Sequence, residues 1–410
     1  MNWDLYLRLS ALIFLEFAVW AAWMPVLAMR LLGPLKMTGK QTGWIYATFP
    51  IACIFAPIAS GYLADKWFNA EWIILACHLA GAVLLFLAAR QTKFWGMFWV
   101  MLLYAICYTG TLPLVNKMVF QQLPSEATWI FLWSPVGWAL IGLFLTGLRQ
   151  LRKVGGDGPD SLYLAAILSL LTVAVCLAQV PLKPTASESN PMLSALAMLK
   201  NTNYLIFILV QMVVSGMMQF YFLGTGQFMQ DRGISGRNVS AAMGIAQVVQ
   251  ALATIYVLDQ LLKAAGFQWT FATGSLCWAI LYATYIMAKR VWPIIVIQAF
   301  HGFAYVLFMV AGWIFVGQMA PAEIGASAQS LLFIATLGIG LFIGTQLAGI
   351  VIEKNSAGGK FQWPKIWAVP LMITLGGAIV FAVVFRVPSP AEFKQEKNQP
   401  QTATTVALHR

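Results

Sequence analysis

The chain has 410 residues, of which 60% are hydrophobic and only 10% charged, and its formal net charge is +11. A soluble globular domain carries about 25% charged residues, so the composition excludes that class. In a soluble protein this charge would point to nucleic acid. Here the basic residues stand singly at the ends of apolar runs, where they meet lipid headgroups, and no block forms a nucleic-acid patch.

A dozen apolar runs predict membrane-spanning helices at about 5–30, 41–64, 71–90, 95–118, 129–149, 161–181, 202–229, 238–262, 268–288, 291–317, 324–352 and 365–386. The expected fold class is therefore an all-α membrane protein. A helix is the form in which such a run satisfies its own backbone hydrogen bonds within lipid. The first run is too long for a signal-peptide core and no small-residue cleavage site follows it, so it is expected to remain as helix one.

Helix one carries Glu16 about 16 Å from its start, with Trp20 and Trp23 at i+4 and i+7. A carboxyl group at mid-membrane depth is costly and points to function, as an acceptor for a ligand hydroxyl or as a proton carrier. After helix two, Gly61-Tyr62-Leu63-Ala64-Asp65-Lys66-Trp67 resembles the G-x-L-A-D-[RK] signature of the major facilitator superfamily. In that signature Gly61 is expected to permit close helix approach and Asp65 to cap a neighbouring helix, with Lys66 beside it, as a conformational loop on the cytoplasmic side. His78 in helix three reads as a packing histidine. Helix four contributes Tyr104, Tyr108 and Thr111, with Asn116 nearer its end.

Six runs precede the polar stretch 181–200 and six follow it. This predicts an N-terminal bundle (1–180), a cytoplasmic linker (181–200), a C-terminal bundle (201–386) and a disordered cytoplasmic tail (387–410), an arrangement suited to a carrier with a midplane site. Thr38-Gly39-Lys40 and Ser235-Gly236-Arg237 open helices two and eight, a faint echo between the halves. Helix seven bears Gln211, Ser215, Gln219, Phe222 and Gly226 on one face. Gln247 and Gln250 follow in helix eight, and Gln298, His301 and Tyr305 in helix ten. These stripes predict one polar lumen of amides and aromatic rings. Such a lumen suits a neutral, hydroxyl-rich ring solute, and no intramembrane Lys or Arg offers a countercharge. Gly338, Gly340 and Gly344 form a small-residue packing face in helix eleven. Pro25, Pro50, Pro57, Pro113 and Pro135 are expected to bend helices.

Cys53, Cys77, Cys107, Cys176 and Cys277 all lie in apolar runs without metal or redox spacing, so no metal or cofactor is expected. No nucleophile–base set or phosphate-binding loop is present, and an enzyme is not expected.

The segments F-L-E-F-A-V-W-A-A-W (14–23), A-D-K-W (64–67), T-L-P-L-V-N (111–116), H-G-F-A-Y (301–305) and A-P-A-E-I-G-A-S-A-Q (320–329) resemble, in order, the nucleoside:proton symporter family of the major facilitator superfamily. The resemblance implies twelve helices in two six-helix bundles, a place in the bacterial inner membrane, and uptake of nucleosides with protons by alternating access. Together with the polar stripes, the expected substrate contacts are Glu16, Trp20, Thr111, Asn116, Gln219, Phe222, Gln247, Gln250, His301 and Tyr305, of which Gln219 and Gln247 are carried over from the family, with Glu16 and His301 as proton-coupling candidates. Where the family carries charges, this chain has Phe131 for an arginine, Gln250 for a glutamate and Val306 for an aspartate. The alternatives are a carrier of another neutral solute such as a sugar, and a non-transporting receptor or scaffold descended from a carrier. The expected partners are a small neutral solute, protons and membrane lipid, with the chain acting as a monomer and no nucleic acid involved. One feature opposes the implied orientation: with the N-terminus inside, about ten Lys/Arg fall on the cytoplasmic side and about fifteen outside, against the positive-inside bias.

Overall fold

The structure is a computed structural model and describes residues 2–184, 196–320, 325–357 and 360–393. Among these residues, twelve helices are long and apolar enough to cross a membrane. They are α1 (Trp3–Leu32), α2 (Gly39–Ala64), α3 (Ala70–Arg90), α4 (Phe94–Gln122), α5 (Trp129–Arg152), α6 (Asp160–Leu177), α7 (Thr202–Asp231), α8 (Gly236–Tyr256), α9 (Leu258–Met287), α10 (Val291–Met319), α11 (Ala328–Lys354) and α12 (Trp363–Val384). Their outer faces expose large apolar side chains such as Leu143, Phe144, Ile167 and Val213. Trp3, Trp67, Trp95 and Trp292 stand exposed near helix ends, as interfacial anchors do.

Two bundles repeat one packing scheme. In the first half α1 packs on α5, α2 on α4, and α3 on α6; in the second α7 packs on α11, α8 on α10, and α9 on α12. The halves meet along two seams, α2 with α11 and α5 with α8, which exchange under the same pseudo-symmetry. The echo between Gly39 and Gly236 is realised at these seams. A Cβ on Gly39 would stand 2.5 Å from the Gly349 carbonyl, and one on Gly236 3.1 Å from the Gly156 amide.

The interbundle contacts gather at the end of the molecule opposite the linker. Lys40 pairs with Glu353 at 3.2 Å, and its backbone N–H donates to the same carboxylate. Arg149, held by Asp160 at 2.6 Å, donates to the Ser240 hydroxyl; Gln150 donates to Asn238, and the Ala241 amide to Thr146. The halves are thus closed at that end, and the space between them lies on the linker side of the closure.

Helical order is broken in a few places, and neighbouring polar groups compensate. Pro25 interrupts α1, and the Tyr46 hydroxyl repairs the break by donating to the Met24 carbonyl and accepting from the Ala28 amide. Three π-helical stretches, Tyr305–Val310 in α10, Ile334–Gly340 in α11 and Val380–Val384 in α12, loosen the backbone ladder. Gln211 donates to the Phe308 carbonyl; the Ser215 hydroxyl lies 3.1 Å from the Met212 carbonyl of its own helix and 3.4 Å from that of Thr336. Those two residues of the α7 stripe therefore serve the helices rather than the lumen.

Several expectations are corrected. Helix eight ends at Tyr256, not near 262. Residues from Leu258 form an extra polar stretch with an Asp259–Lys263 pair, and Gly266, at φ +71°, turns the chain into the membrane-spanning part of α9. Residues 61–66 are the last turns of the α2 helix, not a loop, and a Cβ on Gly61 would meet nothing within 4 Å, so no close approach requires that glycine here. The side chains of Asp65 and Lys66 lie outside the described residues. The start of the expected tail is docked: Asn201 donates to Glu392, and Phe393 packs edge-on against Tyr204. Residues 394–410 and most of the linker, 185–195, lie outside the described residues.

Tyr46→Phe strands the Met24 carbonyl and the Ala28 amide. It is expected to destabilise the protein by about 1–3 kcal/mol for each stranded group, as measured by unfolding in detergent.

Candidate functional site

The site is assembled by close backbone approach. A Cβ on Gly302 would lie 2.2 Å from the Ala246 carbonyl and 2.8 Å from the Gln250 amide, so glycine there lets α10 lie directly on α8. That contact brings Gln247 and Gln250 beside His301 and Tyr305. In the other half, Gly137 admits the Phe14 carbonyl and lays α5 against α1, which brings Trp138 to Trp20.

Between the bundles lies a small cavity of about 30 Å³, partly continuous with the exterior. Phe17, Trp20, Ser134, Trp138, Met218, Phe222, Gln247, Gln250, His301, Tyr305 and Leu337 surround it. None of these is Asp, Glu, Lys or Arg. A second space of about 20 Å³ adjoins it toward the closed end and shares Trp138, Phe222 and Gln247.

An aromatic arc crosses from one bundle to the other. Trp20 stacks on Phe49 at 4.6 Å and meets Trp138 edge-on at 5.5 Å; Trp138 lies 6.2 Å from Phe222, which meets His301 at 6.1 Å. His301 is held face to face with Tyr221 at 3.9 Å, and its Nδ1 accepts from the Trp278 indole at 3.2 Å. An indole nitrogen can only donate, so the neutral His301 ring carries its hydrogen on Nε2. Gln298 accepts from Tyr221 and donates to Tyr285, which fixes this cluster from behind.

Two buried polar groups here stand without partners, Trp20 on the cavity wall and Gln219 behind it. The Trp20 indole N–H is buried without an acceptor, and the Gln219 amide is fully buried with neither oxygen nor nitrogen in a hydrogen bond. Buried polar groups are ordinarily paired, so both are candidates for contact with a solute.

Of the residues expected from the sequence, Trp20, Phe222, Gln247, Gln250, His301 and Tyr305 line the cavity. Glu16, Thr111 and Gln219 do not. Glu16 is completely buried in the first bundle, bonded to His78 at 2.8 Å and to Thr111 at 2.6 Å. Asn116 is exposed and also off the cavity. Reasoning from sequence missed Phe17, Ser134, Trp138, Met218 and Leu337. The i, i+4 spacing of Ser134 and Trp138 was the available signal for the α5 face.

The sequence profile described as nucleoside H+ symporter matches residues 3–390. The chain belongs to the nucleoside H+ symporter family. Nucleoside permease NupG of Escherichia coli is 27% identical over 428 residues, covering 99% of this chain and 100% of that protein. The xanthosine permease of the same species is 26% identical, covering 92% and 94%. The crystal structure of the nucleoside transporter NupG superposes with a TM-score of 0.82 at 25% identity, covering 95% of this chain and 100% of that one. A symporter of this family is a multi-pass inner-membrane transporter of the major facilitator fold and not an enzyme.

The departures from the family's charged positions fall into two groups. Phe131 packs on Phe120 at 5.4 Å in the first bundle, and Val306 is fully buried in the π-helical turn of α10; neither lines the cavity. Gln250 lines it as a neutral amide. A site that keeps none of these charges avoids stranding one of them unpaired.

Gly302→Val forces α8 away from α10 by overpacking, at about 1–3 kcal/mol. Both a lower unfolding temperature and weaker solute binding in the same preparation are expected.

Proposed function

We propose that this chain carries nucleosides together with protons through the interbundle cavity, by alternating access and as a monomer. The observation that carries the reading is the lining: an aromatic arc drawn from both halves, faced by uncharged amides. A nucleobase presents a flat face to rings and a polar edge to amides, and a ribose presents hydroxyl groups. Trp20, Trp138, Phe222 and Tyr305 supply the apolar surfaces. Gln247, Gln250, Ser134 and the His301 Nε2–H supply the hydrogen bonds, and the unpaired Gln219 amide behind them becomes available as the bundles part. A charged solute would meet no countercharge. Two proteins similar along nearly the whole chain are named as permeases for a nucleoside and for xanthosine, which supports the substrate class.

The closure at the end opposite the linker supports one end-state of the cycle, open toward the linker. The linker side is cytoplasmic on the family's orientation. The symmetric pair of seams, α2–α11 and α5–α8, supports rocking of one bundle against the other.

Vesicles containing the protein are expected to take up radiolabelled uridine faster and further with an inward proton gradient than without one. Excess unlabelled adenosine should compete and excess glucose should not. Trp138→Ala is expected to weaken uridine binding about tenfold, through loss of about 1.4 kcal/mol of ring contact. Failure to transport any nucleoside removes the substrate assignment, and equilibration indifferent to the gradient removes symport.

A further inference from the structure

We propose that the buried Glu16–His78 pair, rather than any residue of the cavity wall, binds the proton that moves with the solute. This rests on the functional reading above and names the coupling group within it.

The pair lies inside the first bundle, with Glu16 and His78 at 0% and 2% exposure and His78 Nε2 at 2.8 Å from Glu16 Oε2. The surrounding hydrogen bonds fix where the hydrogens are. The Ser169 hydroxyl donates to the His78 carbonyl, so its oxygen accepts from His78 Nδ1–H at 2.9 Å. With Nδ1 protonated, one further hydrogen on the Glu16–His78 line makes the pair neutral overall, as acid and imidazole or as carboxylate and imidazolium. Without that hydrogen, two lone pairs face each other in a dry site and leave one uncompensated negative charge. Thr111 meets the other carboxyl oxygen at 2.6 Å.

Nothing nearby replaces the proton. The titratable groups facing the pair and Tyr108 from the adjoining helices are Cys53, Cys77, Tyr104, Cys107 and Cys176, none of them a cation. Glu71, two turns away along α3, is engaged by Asn69 and the Leu182 amide. The pair is therefore a store for a single proton, neutral when loaded and anionic when empty. His301 lacks an acidic partner among the described residues and is pinned by Trp278 and Tyr221.

The store is mechanically joined to the cavity. Phe17 and Trp20 flank Glu16 on α1 and line the cavity. Tyr108 donates to the Glu16 backbone carbonyl, meets the His78 ring edge-on at 6.1 Å, and touches Trp20 at 6.3 Å. A solute stacking on the arc presses on Trp20, and through Tyr108 on the pair. In each cycle a proton from the outer water joins the anionic pair and later leaves to the inner water. No bond in the solute changes, and one positive charge crosses per neutral solute.

The test uses proteoliposomes of the full chain and of Glu16→Gln, which keeps the shape but cannot store the proton. Across one pH unit, one proton per solute supports about tenfold accumulation of uridine. The expectation is that Glu16→Gln loses this accumulation and its pH dependence, yet still exchanges labelled for preloaded unlabelled uridine. Retained gradient-driven accumulation in Glu16→Gln overturns the proposal. Should the variant lose exchange as well, the unaltered protein decides through its infrared spectrum. The carboxylic-acid band of a buried glutamic acid is expected to change when uridine is added across a pH series, and a spectrum without that change rejects the pair. If the unaltered protein transports no nucleoside, the functional reading fails and this inference falls with it.

Discussion

Inside lipid an unpaired backbone N–H or C=O finds no water, and each such group costs several kcal/mol. Most of this chain meets that demand with uninterrupted helix. At its irregular points, side chains from neighbouring helices meet it instead. Tyr46 closes the gap that Pro25 opens in α1, Gln211 answers the Phe308 carbonyl in the π-helical turn of α10, and the Ser215 hydroxyl lies 3.4 Å from the Thr336 carbonyl in that of α11. Those turns lie where Tyr305 and Leu337 reach the cavity. Polar residues of α7 thus allow the lining helices to depart from regular geometry.

The same pressure explains how polarity is divided between the halves. The cavity keeps groups that can donate or accept without bearing charge, and these tolerate either hydration or a bound solute. Glu16, fully buried in the first bundle, is withdrawn behind the wall and bonded to the Thr111 hydroxyl and to His78, which Ser169 holds in turn. Recognition and charge storage are placed apart yet share α1 as a common wall.

The number and order of the spans were legible in the sequence because hydropathy runs are long compared with their errors. The reversal at Val257 was not: Tyr256, Val257 and Leu258 continue an apolar run straight through the turn, and only Asp259 and Lys263 hint at an interfacial stretch. The cavity was legible where polar residues stand on helices with one obvious inner face, as at Gln247, Gln250, His301 and Tyr305. It was misread on α1, where Phe17 and not Glu16 shares the lumen side with Trp20. The His78 partner lies 62 residues from Glu16, and no local pattern joins them. On α7 the stripe was real but mixed, since packing, backbone repair and lining use the same face. The excess of basic residues at the end opposite the linker also has a visible use. Arg30, Arg149 and Arg232 bind carbonyls or a carboxylate there, and Lys40 ties the two halves.

The seams that hold that end shut are made largely of main chain against main chain. Gly39 and Gly43 lie on Gly349 and Thr345, and Gly142 lies on Ser240. Surfaces without side chains have no rotamers to unlock, so they part or meet as smooth rails and offer little resistance of their own to opening. The ion pair between Lys40 and Glu353, partly open to water, latches them together with the hydrogen bonds of Arg149, Gln150 and Thr146 across the other seam. Dissolved ions screen such a pair. Ionic strength in the medium at that end therefore bears on one of the bonds that hold the two halves together.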